Sequence, residues 1–292
     1  MERSDRRAFQ KLVHGSAKLG LEAKNSLHEI FHENTKLGPL TGRAYSAWIL
    51  NFARSHTAQQ TIDQPHKLYT LMERRELPRV EARTELERTI EDRRSIRRFS
   101  GAPLGLEELA RLLFFTYGKT DRRGPFRAVP SGGALYPLEL YVVALNVEGL
   151  DPGIYHYGVE TGCLDVVQPG ESLAALKEIV TWEGIDIDNA SLALVITAAF
   201  RRTTAKYQDR GYRLILMEAG EAAQNLCLVA TSMDLGACLL GGFNDDLLSE
   251  FLGIDGVDEA PLLPVLIGRP APMAAGEPPT QAMPPAPPAS GS

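Results

Sequence analysis

The sequence predicts an α+β fold, with helices interspersed among strands and hairpins rather than in strict alternation, and three observations predict it. Strand-like apolar runs at 138–145, 153–157 and 163–167 follow one another with only short gaps, as hairpins do. Helical periodicity appears on both sides of them, at 106–117 and at 212–233. Neither a GxGxxG turn nor a phosphate-binding GxxxxGK loop occurs anywhere, which disfavours a doubly wound nucleotide fold.

Taken in order, residues 1–91 are polar, with helical patches at 19–36 and 43–54 and a charge-rich run at 73–94. They form a helical extension rather than an independent domain. The central unit spans 92–270. Leu106, Leu109, Leu112 and Leu113 recur at the spacing of a core-facing helix. After the three strand runs come a helix at 172–181, a strong strand at 192–200 and the longest helix, at 212–233. Small and apolar residues such as Ala219, Ala222, Ala223, Leu226 and Ala230 cover most of that helix, so it lies at the centre of the molecule or in a subunit interface. A strand at 237–240, a helix at 245–252 and a strand at 262–268 close the fold. Residues 271–292 are dominated by Pro, Ala, Gly and Ser and read as a disordered tail.

The 292 residues, 44% apolar, suffice for a proper core. A net charge of −6 argues against a general nucleic-acid surface. No apolar run is long enough to span a bilayer and no signal core follows Met1, so a cytoplasmic location is expected. Cys163, Cys227 and Cys238 are widely spaced among apolar neighbours, as buried reduced thiols are, and no metal spacing is present. Arg122-Arg123 and Arg201-Arg202 read as solvated basic pairs.

Four segments carry possible chemistry. Pro130-Ser131-Gly132-Gly133-Ala134-Leu135-Tyr136-Pro137 is a small-residue loop opening a buried strand, where amide N–H groups can converge on a ligand. In Arg93-Arg94-Ser95-Ile96-Arg97, alternation puts Arg93, Ser95 and Arg97 on one side of an extended chain, a plausible phosphate grip. Arg269, at a strand end, could add a further cation. Leu240-Gly241-Gly242 ends a strand where a planar ring can approach the backbone. Lys206-Tyr207 lies between the strong strand and the long helix, a position where loops carry function, and either residue could serve as a general base. One further match, His28-Glu29-Ile30-Phe31-His32, fits the HExxH zinc pattern but lacks a continuation and a third ligand, so no metal is expected.

Together, RRSIRRF, PSGGALYPLELYVV, GIYHYG, KYQDRGYRLILMEAGEAAQNL, LGACLLGGF and LIGRP resemble the nitroreductase-like FMN flavoproteins, and among them the SagB-type dehydrogenases that form thiazoles and oxazoles in peptides. The resemblance spans about 93–270 in order. Phe31-His32-Glu33 with Thr35-Lys36 is similar to a short motif in the N-terminal extensions of those proteins, a better account of the HExxH match. The resemblance implies a central mixed or antiparallel sheet flanked by helices and an interlocked homodimer with FMN between the subunits. Arg93, Ser95 and Arg97 match the phosphate and ribityl contacts, and Ser131 with Gly133 the loop reached from the partner. Leu240, Gly241 and Gly242 match the backbone beside the flavin ring, Arg269 the phosphate-side cation, and Lys206 with Tyr207 the pair assigned to proton abstraction. Ser131-Gly132-Gly133-Ala134 departs mildly from the usual Ser-Ala-Gly-Ala.

The activity implied is oxidation of a peptide thiazoline or oxazoline, a base taking the Cα proton while hydride passes to flavin N5, in possible complex with a cyclodehydratase. The alternative is an NAD(P)H-fed FMN reductase of nitro, quinone or other small electrophiles, and a third reading is a non-catalytic peptide-binding or partner-binding scaffold. Substrate choice would rest on pocket shape and on loops such as 120–129.

Overall fold

The computed structural model describes residues 26–53, 55, 67, 71–121, 123–181 and 184–272. The expected disordered tail, apart from its first two residues, and the part of the first helical patch at 19–25 lie outside them. Three helices come first: α1 (Leu27–Thr35), α2 (Pro39–Ala53) and α3 (Glu85–Asp92). Helix α3 starts on a capping box, in which the Thr84 hydroxyl accepts the Glu87 N–H while the Glu87 carboxylate accepts the Thr84 N–H. Next come β1 (Leu104–Gly105), α4 (Leu106–Tyr117), β2 (Leu138–Ala144), β3 (Val147–Glu148), β4 (Gly153–Gly158), β5 (Cys163–Pro169) and α5 (Leu173–Ile179). The last third of the chain holds β6 (Leu192–Ala199), α6 (Arg201–Tyr207), α7 (Asp209–Ser232), β7 (Gly236–Leu239), α8 (Asp245–Leu252) and β8 (Glu259–Gly268).

Six strands form one sheet in the order β5-β4-β2-β6-β8-β7, antiparallel at every pairing. The α+β expectation therefore holds, and of the two sheet types considered the antiparallel one is present. A small parallel pair, β1 with β3, lies apart and was not legible at two residues per strand. Every residue of β6 is buried, as a central strand covered on both faces requires. The period of two sorts its side chains: Leu192, Leu194, Ile196 and Ala198 face α4 and α7, whereas Ala193 and Val195 face α5 and α8. Strand β8 begins at Glu259, three residues before the apolar run, because a bulge opposite Ile196 and Thr197 carries the chain through Pro261.

The arginine-rich segment adds itself to the outer edge of this sheet. Ser95 bridges Ala237 in parallel, Ile96 donates its N–H to the Ala237 carbonyl at 3.0 Å, and Ser100 donates to the Arg269 carbonyl at 2.9 Å. Gly236 permits this closeness, since a Cβ there would lie 2.7 Å from Cβ and Cγ2 of Ile96. The segment thus covers an edge that would otherwise expose unpaired amides.

Three local expectations are corrected. Cys163 is exposed because β5 is an edge strand, while Cys227 and Cys238 are buried as expected. Residues 201–207, read as part of a loop, form the two-turn helix α6. No Gly or Pro interrupts them, and the Phe200 carbonyl accepts the N–H of both Thr203 and Thr204. Arg201 does pair in solvent with Asp258 at 3.0 Å, but Arg202 reaches inward to Glu139 at 2.5 Å, so it is not a solvated charge.

A Gly236→Ala protein is expected to lose about 1–3 kcal/mol by overpacking. It is also expected to loosen the Ser95–Ile96 pairing, seen as faster amide exchange of Ile96 against an unchanged rate in β6.

Candidate active site

The loop ahead of β2 is held by a buried carboxylate that the sequence reading did not single out. Glu218, on α7 and 3% exposed, accepts the Ser131 hydroxyl at 2.6 Å and the Tyr117 hydroxyl at 2.6 Å. Each hydroxyl in turn accepts a backbone N–H, from Tyr136 at 2.9 Å and from Leu138 at 3.2 Å. Every polar atom is thereby satisfied, the condition under which a buried network stabilises rather than strains. Burial pushes the Glu218 carboxyl above its ordinary range, opposed by its two hydroxyl donors and by the nearby Arg127 charge. The Arg127 guanidinium stands over both the Tyr117 and Tyr136 rings, at 4.8 and 4.7 Å. Toward any ligand, Ser131 therefore offers an acceptor and its backbone, because its proton is already committed to Glu218.

Strained backbone concentrates here. Gly133, Ala134 and Tyr136 have φ of 70°, 55° and 47°. Left-handed geometry at two non-glycine residues costs on the order of 1–3 kcal/mol each and is characteristic of functional loops. A Cβ placed on Gly133 would fall 2.7 Å from the Tyr207 hydroxyl and 2.8 Å from the Lys206 ammonium nitrogen. The fold thus brings Ser131, Gly133, Lys206 and Tyr207 together in one chain. Lys206 is exposed at the end of α6, its ammonium 5.1 Å from the centre of the Tyr207 ring. A cavity of about 520 Å³ opens beside the same loop, lined by Arg127, Ala134, Leu135, Glu139, Asp165 and Arg202.

A second cluster surrounds β7. Arg93 ends α3 and its charge is felt at Cys227 on α7, where burial lifts the thiol to about 11 and Arg93 opposes the rise. Arg97 acts likewise on Cys238 in β7. Ser95 lies between them on the same segment, beside Ala237. Leu240 continues the strand, donating its N–H to the Pro264 carbonyl at 2.9 Å, and Gly241 is exposed, with no atom within 4 Å of where its Cβ would be. Gly242 turns back, its carbonyl accepting the Thr181 N–H at 3.1 Å. The Arg269 guanidinium is bound to both Glu108 oxygens at 2.9 Å, while its carbonyl pairs with Ser100 beside Arg97. Arg93 and Arg97 thus flank Ser95 on the segment paired with β7, the strand that runs on into this glycine turn.

The clusters meet α7 at different heights. Gly132 packs against Leu214, whereas Arg93 acts near Cys227, roughly 20 Å further along at 1.5 Å per residue.

The two histidines of the HExxH match face partners on α7. Among the described residues no cluster of His, Cys, Asp and Glu suits an ion. His28 Nδ1 faces Asp209 at 2.9 Å and His32 Nδ1 faces the Tyr212 hydroxyl at 3.1 Å, so both rings join α1 to α7.

An antiparallel α+β sheet flanked by helices is the architecture of the nitroreductase-like oxidoreductases. The chain belongs to the nitroreductase family, which matches residues 90–269 and whose members generally bind flavin. A nitroreductase-named protein of Methanocaldococcus jannaschii is 42% identical over 199 residues, covering 66% of this chain and 95% of that protein. The microcin B17-processing protein McbC of Escherichia coli is 30% identical over 169 residues, 56% of this chain and 62% of McbC. The trifolitoxin-processing protein TfxB of Rhizobium leguminosarum is 28% identical over 177 residues, 57% of this chain and 48% of its own length. The chain thus spans less than two thirds of these two processing relatives. In structure it resembles a chain of the E. coli microcin synthetase McbBCD complex with truncated pro-MccB17 bound (TM-score 0.59, 22% identity, 86% of this chain and 100% of that one). It also resembles a nitroreductase of Anabaena variabilis (TM-score 0.56, 32% identity, 64% of this chain and 38% of that one). The likeness to peptide-processing proteins agrees with the SagB-type resemblance of the motifs. Family membership also makes the chain an oxidoreductase in preference to the non-catalytic scaffold. Among the described residues no helix is long and apolar enough to cross a membrane.

Two outcomes are expected. Glu218→Ala strands the buried Tyr117 hydroxyl and the half-buried Ser131 hydroxyl and should cost about 1–3 kcal/mol in a denaturant titration, with proteolysis appearing first near 131–136. Burial, aided by Lys36 and His28 and opposed by Glu33, holds the His32 pKa below its usual 6.5. The neutral ring's contribution to stability is then complete above pH 6.5 and lost as pH falls through the lowered value. The melting temperature should therefore drop on acidification below that point, and His32→Phe should remove that part of the drop.

Proposed function

We propose that the protein is an FMN-dependent dehydrogenase that oxidises peptide thiazolines or oxazolines to the aromatic azoles, with Lys206 and Tyr207 handling the substrate proton. The observation that carries this reading is the packing of Gly133 against the Lys206 ammonium and the Tyr207 hydroxyl. A cradle loop and a base-bearing helix in contact are what proton removal beside a bound ring needs. Arg93, Ser95 and Arg97 would hold the cofactor phosphate and ribityl chain, Leu240, Gly241 and Gly242 would lie along its ring, and Arg269 would face the phosphate once released from Glu108. FMN, when bound, supplies the two-electron acceptor. The chain itself orients the azoline, keeps the acidic Cα–H within reach of Lys206, and carries the abstracted proton away on the Lys206–Tyr207 pair.

The same geometry supports a homodimer. The two clusters meet α7 roughly 20 Å apart, so the cradle of one subunit and the arginines of another would complete each site. Apolar side chains left uncovered on α3, α4 and α7 support such contact: Leu86, Ile90, Phe114, Phe115 and Met217 are all exposed, Met217 at 61%. The likeness to a microcin synthetase chain supports a cyclodehydratase as a further partner. The second reading, an NAD(P)H-dependent reductase of small electrophiles, is favoured by the 42% identity to the nitroreductase-named archaeal protein.

The decisive experiment compares Lys206→Ala with the parent on a short synthetic peptide carrying one thiazoline. The variant should keep its oxidised-flavin absorption bands while thiazole formation falls by about 10²–10⁴-fold. Undiminished turnover would remove Lys206 from the chemistry, and rapid bleaching of the parent's flavin by NAD(P)H, with the thiazoline untouched, would favour the reductase.

A further inference from the structure

We propose that helix α1 is a clamp for the Lys206–Tyr207 pair, with Asp209 and His32 as its positioning residues. The proposal rests on the reading of Lys206 as the base, but its geometry is independent of that reading.

Helix α6 is short and ends in an awkward turn. Gln208, which follows Tyr207, has φ 50° and ψ −143°, a conformation that a side chain disfavours by on the order of 1–3 kcal/mol. Something outside the turn must over-determine it. The next residue, Asp209, provides the attachment: one of its carboxylate oxygens accepts the Ser26 hydroxyl at 2.8 Å, the His28 backbone N–H at 3.2 Å and the His28 ring at 2.9 Å. The His28 amide is one of the free donors at the start of α1, and Ser26, the residue in capping position, makes no cap bond of its own. Asp209 therefore caps α1 from another helix while beginning α7, so its charge sits at two helix N-termini. These donors hold its carboxyl down at about 2.

The other side of α6 is gripped by the same helix. His32, 7% exposed, sets its ring edge against Phe200 at 5.0 Å, directly before α6, and its Nδ1 against the Tyr212 hydroxyl, one turn into α7. Phe31 adds an edge contact to Tyr212 at 5.9 Å. Helix α1 thus touches the chain immediately before and immediately after the two turns that carry Lys206. Its own far end is anchored too: Lys36 donates to the Gly256 carbonyl at 2.8 Å, and Leu37 donates its N–H to the Asp245 carboxylate at 2.8 Å while its carbonyl accepts the Asp245 N–H at 3.1 Å, at the start of α8. Gly133 of the cradle loop packs against both side chains, so Lys206 and Tyr207 are bordered by that loop and by the clamped turn at Gln208.

The test uses the full-length flavin-loaded protein and the thiazoline peptide. Asp209→Ala and His32→Phe should each lower kcat by roughly 10- to 100-fold, the cost of a misplaced catalytic group, with KM and flavin content within about twofold. Asp209→Asn, which keeps an acceptor oxygen, should recover most of the loss. Hydrogen exchange over 201–210 should quicken in Asp209→Ala while the β2 and β6 amides stay protected. Wild-type kcat in both variants, or unchanged exchange over 201–210, would overturn the clamp. If Lys206→Ala retains full turnover, the base assignment fails instead, and the exchange result alone decides whether α1 holds α6.

Discussion

Helix α7 touches the extension helix, the cradle loop and the segment carrying Arg93, and that placement organises much of the rest. Along its length Asp209 and Tyr212 receive the extension helix, Leu214 and Glu218 hold the cradle loop, Asn225 donates to the Ala128 carbonyl, and Cys227 lies within reach of the Arg93 charge. Much of its buried face is apolar, and part of it carries only small side chains. Ala219, Ala222, Ala223 and Ala230 supply that, and the sheet beneath is covered in turn. The glutamate at its middle is the exception, a carboxyl sunk in the core because two hydroxyls and a nearby guanidinium meet it there.

Strain and its restraint are paired. The left-handed residues Ala134 and Tyr136 sit in a loop tied by Glu218, through Ser131, and by Arg202, which donates to the Tyr136 carbonyl at 3.2 Å. Gln208, the other strained turn, is tied by Asp209. The two turns face each other across Gly133 and Lys206. Loops that would relax if left free are fixed where a proton would have to move over a short and defined distance.

Much of this was legible in the chain. The apolar runs of β2 and β6, the small-residue face of α7 and the break at Gly241-Gly242 each follow from local pattern or turn chemistry. Proximity between distant segments was not. Nothing local says that Glu218 meets Ser131, since a glutamate on a helix is ordinarily solvated and only the tertiary approach of Tyr117 and Ser131 makes its burial tolerable. Helix α6 was missed because Thr203 and Thr204 weaken the helical signal, and the outward thiol of Cys163 because an edge strand's neighbours are apolar in sequence yet open in space. The histidines at 28 and 32, whose ligand-like spacing was set aside in the sequence, serve packing between helices.

The separation of the two clusters along α7 has a consequence for inheritance of damage. In the proposed dimer each chain lends its cradle to one pocket and its arginines to the other. A chain with a ruined arginine segment, paired with a chain lacking Lys206, concentrates both lesions in one pocket and leaves the second whole. Two defective gene copies can then yield a working enzyme, with half the usual number of active centres per dimer.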